Sequence, residues 1–129
     1  MQYAGKLGRN TDATKPGVVM RRLLVIIESP YAANKQRSIA EHVAYAQQCL
    51  RDSLDRGEAP FASHLLYPGA LDDAVPDDRM LGIHAGYEWG ARADLIAFYT
   101  DYGWSGGMLL AQEHYEKIRR PIEFRRIQV

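Results

Sequence analysis

With 129 residues, the chain has room for one domain and a single core. Its 16 basic and 16 acidic residues cancel and are interspersed, which argues against a nucleic-acid groove or a basic membrane surface. Cys49 has no cysteine to pair with, which fits a reducing cytoplasm, and no run approaches the ~20 apolar residues of a membrane span. The N-terminus also lacks the apolar core of a secretion signal, so the expectation is a soluble cytoplasmic protein.

Met1 to Val19 is rich in Gly, Lys, Thr and Asn and shows no hydrophobic period. It reads as an extended N-terminal arm (residues 1–19) ahead of one domain (residues 20–129), either mobile or laid over the body or over a neighbouring subunit. The first core element is Leu23-Leu24-Val25-Ile26-Ile27, an apolar run of the kind that forms strands buried on both faces. It stops at Glu28-Ser29-Pro30-Tyr31.

Asn34 is the expected N-cap of a long helix that ends before Gly57. Ile39, Val43, Ala46, Leu50 and Leu54 form its apolar arc, opposite Arg37, Glu41, Gln48, Asp52 and Asp55. Pro60 to Leu66 reads as a second, short strand with proline at its start. A loop from Tyr67 to Val75 leads to Pro76, which opens a second helix running to about Ala93.

Gly82, Gly86 and Gly90 recur every fourth residue on that helix, although each costs about 1 kcal/mol against alanine. Met80, Ile83, Tyr87 and Ala91 make one apolar side and Leu81, Ala85 and Trp89 another. A helix that is apolar on two sides is buried on two sides, which predicts a homodimer or higher homo-oligomer.

Asp94 to Asp101 is the third buried strand, and Gly103-Trp104-Ser105-Gly106-Gly107 turns into a helix over about Met108 to Ile118. Pro121 to Ile127 alternates like an edge strand. The alternation of strands and helices predicts an α/β fold, a small open parallel sheet of about four strands with helices on both faces.

Ligands of open parallel sheets bind beyond the carboxyl ends of the strands. Glu28, Ser29, Pro30 and Tyr31 should meet Asp101 and Ser105-Gly106-Gly107 on that rim. Backbone N–H groups opening a helix suit a phosphate, and carboxylates beside a sugar suit an oxocarbenium-like transition state. The bland alternative is that the carboxylates cap helices and the glycines only turn the chain.

Asp72-Asp73 and Asp77-Asp78 match no calcium-loop spacing and fit a solvated helix start. Among the four histidines, no pair has zinc-site spacing, and only His64 is placed near the rim. The reading calls for no metal and no cofactor.

Three blocks carry a resemblance: Val25 to Tyr31, Pro60-Phe61 through His64-Leu65, and Arg92-Ala93-Asp94 through Gly107-Met108. In their order and spacing the chain resembles the nucleoside 2-deoxyribosyltransferase-like superfamily, and within it small phage and bacterial members. The likeness runs from about Arg22 to the C-terminus. It implies a Rossmann-like sheet, a dimeric working unit, a nucleoside or nucleotide ligand and cleavage or transfer of an N-glycosidic bond.

The superfamily's enzymes use a glutamate nucleophile on the helix after the glycine turn, assisted by a tyrosine or aspartates. Tyr31, Asp101 and Ser105 to Gly107 match that frame. Where the nucleophile is expected this chain has Leu109-Leu110-Ala111, with Glu113 the nearest carboxylate on the helix. The helper aspartate aligns near Gly86, with Glu88 close by, and Glu28 stands where a small residue is usual.

The resulting assignments are Glu28, Tyr31, Asp101 and Glu113 for catalysis. Ser29, Pro30, Asn34, His64, Glu88, Ser105, Gly106 and Gly107 are assigned to ligand contact. Two functions stand side by side: an enzyme of the N-glycosidic bond, and a non-catalytic binder that senses or sequesters a nucleotide or ADP-ribose-like signal. A third is an interaction module using Trp104 and Leu109-Leu110.

Overall fold

The computed structural model describes residues 21–129, so the expectations for the arm lie outside the described residues. The elements in chain order are β1 (Leu24–Glu28), α1 (Ile39–Asp55), β2 (Ala59–Phe61), α2 (Pro76–Ala91), β3 (Leu95–Tyr99), α3 (Gly106–Lys117) and β4 (Ile122–Arg125). Two single 3₁₀ turns, Ser63–Leu65 and Tyr67–Gly69, lie between β2 and α2. The four strands form one parallel sheet in the order β2-β1-β3-β4. This is the expected α/β architecture, with helices on both faces.

The two faces are separate apolar clusters. Val25, Ile27, Ala97 and Tyr99 pack with Tyr45 and Cys49 of α1. Ile26, Ile96 and Phe98 pack on the other face with Met108, Ala111 and Tyr115 of α3, where Tyr87 of α2 joins them. Side chains of a strand alternate between faces, so Glu28 shares the side of Ile26 and points into the α2–α3 layer.

The chain leaves β1 outward to β2, then crosses back over β1 to β3. The reversal makes β1 and β3 the topological switch point, where open α/β sheets form their ligand crevice.

Local chemistry shifts several expected boundaries. α1 begins at Ile39, not after Asn34, because Ser38 and Glu41 form a reciprocal capping box. The Asn34 carboxamide instead accepts from the N–H groups of Gln36 and Arg37, closing a turn ahead of the helix.

The buried side of α1 is also rotated from the expected arc. It carries His42, Tyr45, Ala46, Cys49 and Ser53, while Ile39 and Leu54 are exposed. Polar residues occupy this face because each finds a partner. His42 Nδ1 donates to the Ala32 carbonyl at 2.9 Å, Tyr45 binds Asp101, and Ser53 donates to Glu58 at 2.7 Å.

β2 is only three residues long, since the chain turns into 3₁₀ geometry at Ser63. α3 starts two residues before Met108, with Ser105 as N-cap accepting from the Met108 N–H at 3.1 Å.

The glycine stripe of α2 packs within the chain. A β-carbon at Gly86 would sit 2.9 Å from Ser63 Oγ, and one at Gly82 would sit 3.2 Å from Leu71 Cδ1. At Gly90 it would overlap the Tyr115 phenol. On the other side of the helix Met80 and Leu81 are exposed, whereas Trp89, also exposed, donates its indole N–H to the Tyr67 hydroxyl at 2.9 Å. No helix among the described residues is long and apolar enough to cross a membrane.

Candidate functional site

A cleft of about 240 Å³ opens at the carboxyl end of β1, between the 3₁₀ turns, α2 and the start of α3. β1 supplies Glu28 and the residues after it supply Ser29 and Tyr31, while His64 comes from the first 3₁₀ turn. Ser105, Gly106 and Gly107 border it at the N-terminus of α3, where the first N–H groups of a helix have no intrahelical partners. Seven of the expected site residues therefore share one cavity.

Glu28 is the electrostatic centre of the cleft. Its carboxyl has no hydrogen bond and no ion pair among the described residues. Burial pushes its pKa from 4.5 up to about 8, so the group is mostly protonated at neutral pH. Its charge in turn contributes to raising the phenol pKa values of Tyr87 on α2 and Tyr115 on α3, for which burial is the larger cause.

Beside it, Ser29 Oγ and His64 Nε2 share a hydrogen bond of 2.8 Å. Burial pushes His64 down to about 4, which keeps the imidazole neutral. The floor thus carries polar groups but almost no charge at neutral pH. Asp73, Asp78 and Arg79 bring charge to the cleft lining from the loop before α2 and from its first turn.

Five expected site residues lie outside the cleft lining. Asp101 is the main departure. Its carboxylate accepts from the Tyr45 hydroxyl at 2.7 Å and from the N–H groups of Ile127 and Gln128 at 3.0 and 2.8 Å. Burial alone would raise its pKa, but these hydrogen bonds outweigh that and hold the carboxyl below its usual range. It clasps the C-terminal segment to α1, so its lone pairs are already used.

Glu113 is exposed and pairs with Lys117 at 3.6 Å, and Glu88 is exposed and pairs with Arg92 at 3.0 Å. Asn34 is occupied in its turn, and Pro30 is buried without lining the cavity. Asp72 and Asp78 help to close their loop: Asp72 Oδ1 accepts from the Ala74 N–H and Asp78 Oδ2 from the Asp72 N–H.

The sequence reading missed Tyr67, Arg79, Tyr87, Leu110 and Ala111 as lining residues. A signal for part of this set was present. Arg79, Gly82, Ile83, Gly86 and Tyr87 recur at helical spacing, and the bare glycines mark the face of α2 that meets the cleft. On α3 the expected nucleophile region places Leu110 and Ala111 at the cavity, so no α3 carboxylate lines it.

A family model described as a domain of unknown function, DUF7768, matches residues 23–125. The chain belongs to the DUF7768 family. The matched region contains all of the sheet and every residue of the cleft. No curated protein matches the chain.

Among solved structures, it is similar to a 2-deoxyribosyltransferase from the psychrotolerant bacterium Bacillus psychrosaccharolyticus, described as a biocatalyst for the synthesis of nucleosides. The two are 19% identical with a TM-score of 0.55, and the match covers 80% of this chain and 72% of that one. At this identity the likeness establishes the fold of this DUF7768 chain.

Proposed function

We propose that the cleft binds a nucleoside or nucleotide and that the protein cleaves or transfers its N-glycosidic bond. The observation that carries this reading is the Glu28 carboxyl at a switch-point cleft, without a partner among the described residues and with its pKa raised by burial to about 8. A carboxylic acid held neutral at pH 7 is suited to general acid chemistry.

In the proposed reaction the C1′–N bond breaks and its electron pair moves onto the base, which takes the proton from Glu28. Water, or an acceptor N–H in a transfer, adds to C1′ and returns a proton to the Glu28 carboxylate. Tyr31 and the Ser105–Gly107 turn flank the sugar or its phosphate. At about 240 Å³ the cavity falls just below the ~300–1,000 Å³ of sites for drug-sized ligands, which favours one small nucleoside over a dinucleotide. The resemblance to the deoxyribosyltransferase fold supports the same ligand class.

The test is release of free base from a panel of nucleosides and nucleotides by purified protein. Wild type should release base, and Glu28→Gln should lose at least about 100-fold in rate. A wild-type protein that releases nothing from any member would overturn the enzymatic reading.

One observation favours a second reading, a binder without turnover. The cleft positions of α3 hold Leu110 and Ala111, and Glu113 is ion-paired outside the lining. Tight binding of an intact nucleotide without base release would select it.

A further inference from the structure

The Glu28 carboxyl combines three properties. It stands at the end of a central strand, it lines a cavity, and it lacks any hydrogen-bond partner or cation among the described residues. Glu28 is half-buried, and a polar group drawn from bulk water and left open toward a cavity is complementary to something that binds there. An ionised carboxylate could be satisfied only by donors. A neutral carboxyl presents one O–H donor and one C=O acceptor side by side, and so requires the mirror arrangement.

Tyr31, Tyr67 and Tyr87 line the same cavity and offer aromatic surface on which a flat ring can lie. Tyr87 is held by stacking on His114, with centroids 3.9 Å apart and planes 8° from parallel.

Resting on the reading of the cleft as a nucleoside site, we propose that Glu28 is its base-recognition residue, pairing as a neutral carboxyl with a nucleobase edge that carries an acceptor next to an N–H donor. The amidine edges of adenine and cytosine have this pattern: the ring nitrogen accepts the carboxyl proton and the amino group donates to the carbonyl oxygen. The resulting two-point contact resembles the bidentate side-chain recognition of adenine by asparagine or glutamine.

The surroundings of Glu28 set its pH response. Tyr87 on α2 and Tyr115 on α3 stay protonated across the ordinary range, because burial drives both phenols upward. His64 in the 3₁₀ turn stays neutral above about pH 4. Asp73, Asp78 and Arg79, with the phenols of Tyr31 and Tyr67, complete the titratable and charged lining. On the sheet, the β3 residue opposite Glu28 is Phe98, which does not titrate. Glu28, raised to about 8, is the displaced group of the lining that loses its proton between pH 6.5 and 9.5.

The experiment is calorimetric titration with the carbocyclic analogues of adenosine and cytidine. These lack a glycosidic bond to cleave, and their bases neither gain nor lose a proton between pH 6.5 and 9.5. Wild-type affinity should fall about tenfold or more between pH 7 and 9.5, following ionisation of one group. Glu28→Gln, whose amide keeps one donor and one acceptor without a proton to lose, should bind within about threefold of wild type at pH 7 and show no pH dependence. The 6-dimethylamino analogue of carbocyclic adenosine, which has no donor on that edge, should bind at least tenfold more weakly.

A flat wild-type profile, an affinity that rises with pH (the sign of a cationic ligand group), or failure of Glu28→Gln to bind would overturn the edge assignment while leaving the nucleoside site standing. Failure of every analogue to bind folded wild-type protein would overturn both. Base release by wild type that persists while the edge assignment fails would separate the chemistry from the recognition.

Discussion

The Tyr45 hydroxyl donates to the Asp101 carboxylate at 2.7 Å and accepts the Asp101 backbone N–H at 3.0 Å, so that α1 holds the end of β3 by a reciprocal pair. The same carboxylate anchors Ile127 and Gln128. Asp101→Asn puts an amide donor against these N–H groups and should lower stability by about 2–3 kcal/mol. Base release by the variant, measured well below its melting temperature, should stay close to wild type.

The pH dependence has a definite sign. The folded-state pKa of Asp101 is below its ordinary 3.8, so its contribution is present above pH 4 and is lost as the pH falls through the depressed value. Thermal unfolding of wild type and Asp101→Asn should therefore converge in acid.

Glu28 has the opposite linkage. Its folded-state pKa is about 8 against 4.5, so the folded chain holds a proton that the unfolded chain has released. Stability falls as the pH rises from about 4.5 to 8 and is level above that. Denaturant titrations should show Glu28→Gln gaining about 2–5 kcal/mol on wild type between pH 4.5 and 8.5. An unchanged gap across that range would mean that Glu28 is ionised in the fold.

Gly90 and Tyr115 divide one space between them. An alanine methyl at Gly90 would overlap the Tyr115 ring and hydroxyl, and that hydroxyl is buried without a hydrogen-bond partner among the described residues. Gly90→Ala should cost about 1–3 kcal/mol through overpacking, even after its gain in helix propensity. Gly82→Ala meets only the end of the Leu71 side chain at 3.2 Å, which can turn aside, so its melting temperature should change little or rise.

Arg125 forms a buried ion pair with Glu58 at 2.7 Å and also donates to the Tyr99 hydroxyl at 3.1 Å, joining β4, β3 and the residue that precedes β2. Arg125→Met leaves the Glu58 charge without this partner and should cost about 3–5 kcal/mol in equilibrium unfolding. The double variant Arg125→Met with Glu58→Leu should recover much of that loss.

The sheet was legible in the sequence because its strands announce themselves as apolar runs that stop at polar residues, as Leu23 to Ile27 stops at Glu28. The glycine turn likewise marked the start of α3 to within two residues. What the pattern could not supply was which polar residues have partners. His42 and Ser53 face inward on α1 because backbone and Glu58 satisfy them, and no hydrophobic period registers that.

Asp101 and Glu28 look alike as carboxylates at or beyond strand ends. One is enclosed by donors from a segment 26 residues further along the chain, and the other faces a cavity. In the sequence the glycines of α2 only weaken a helix, yet their placement answers to Ser63, Leu71 and Tyr115, contacts made only after folding.

The most direct test of the central proposal, that the cleft at the end of β1 is the nucleoside site, is chemical-shift mapping of isotope-labelled protein during titration with carbocyclic adenosine. The account predicts shifts concentrated at Glu28, Ser29, His64, Gly86 and Gly106, with Glu88, Asp101 and Glu113 little changed. Shifts centred instead on the exposed Met80 and Leu81 face of α2, or no shifts at saturating analogue, would contradict it.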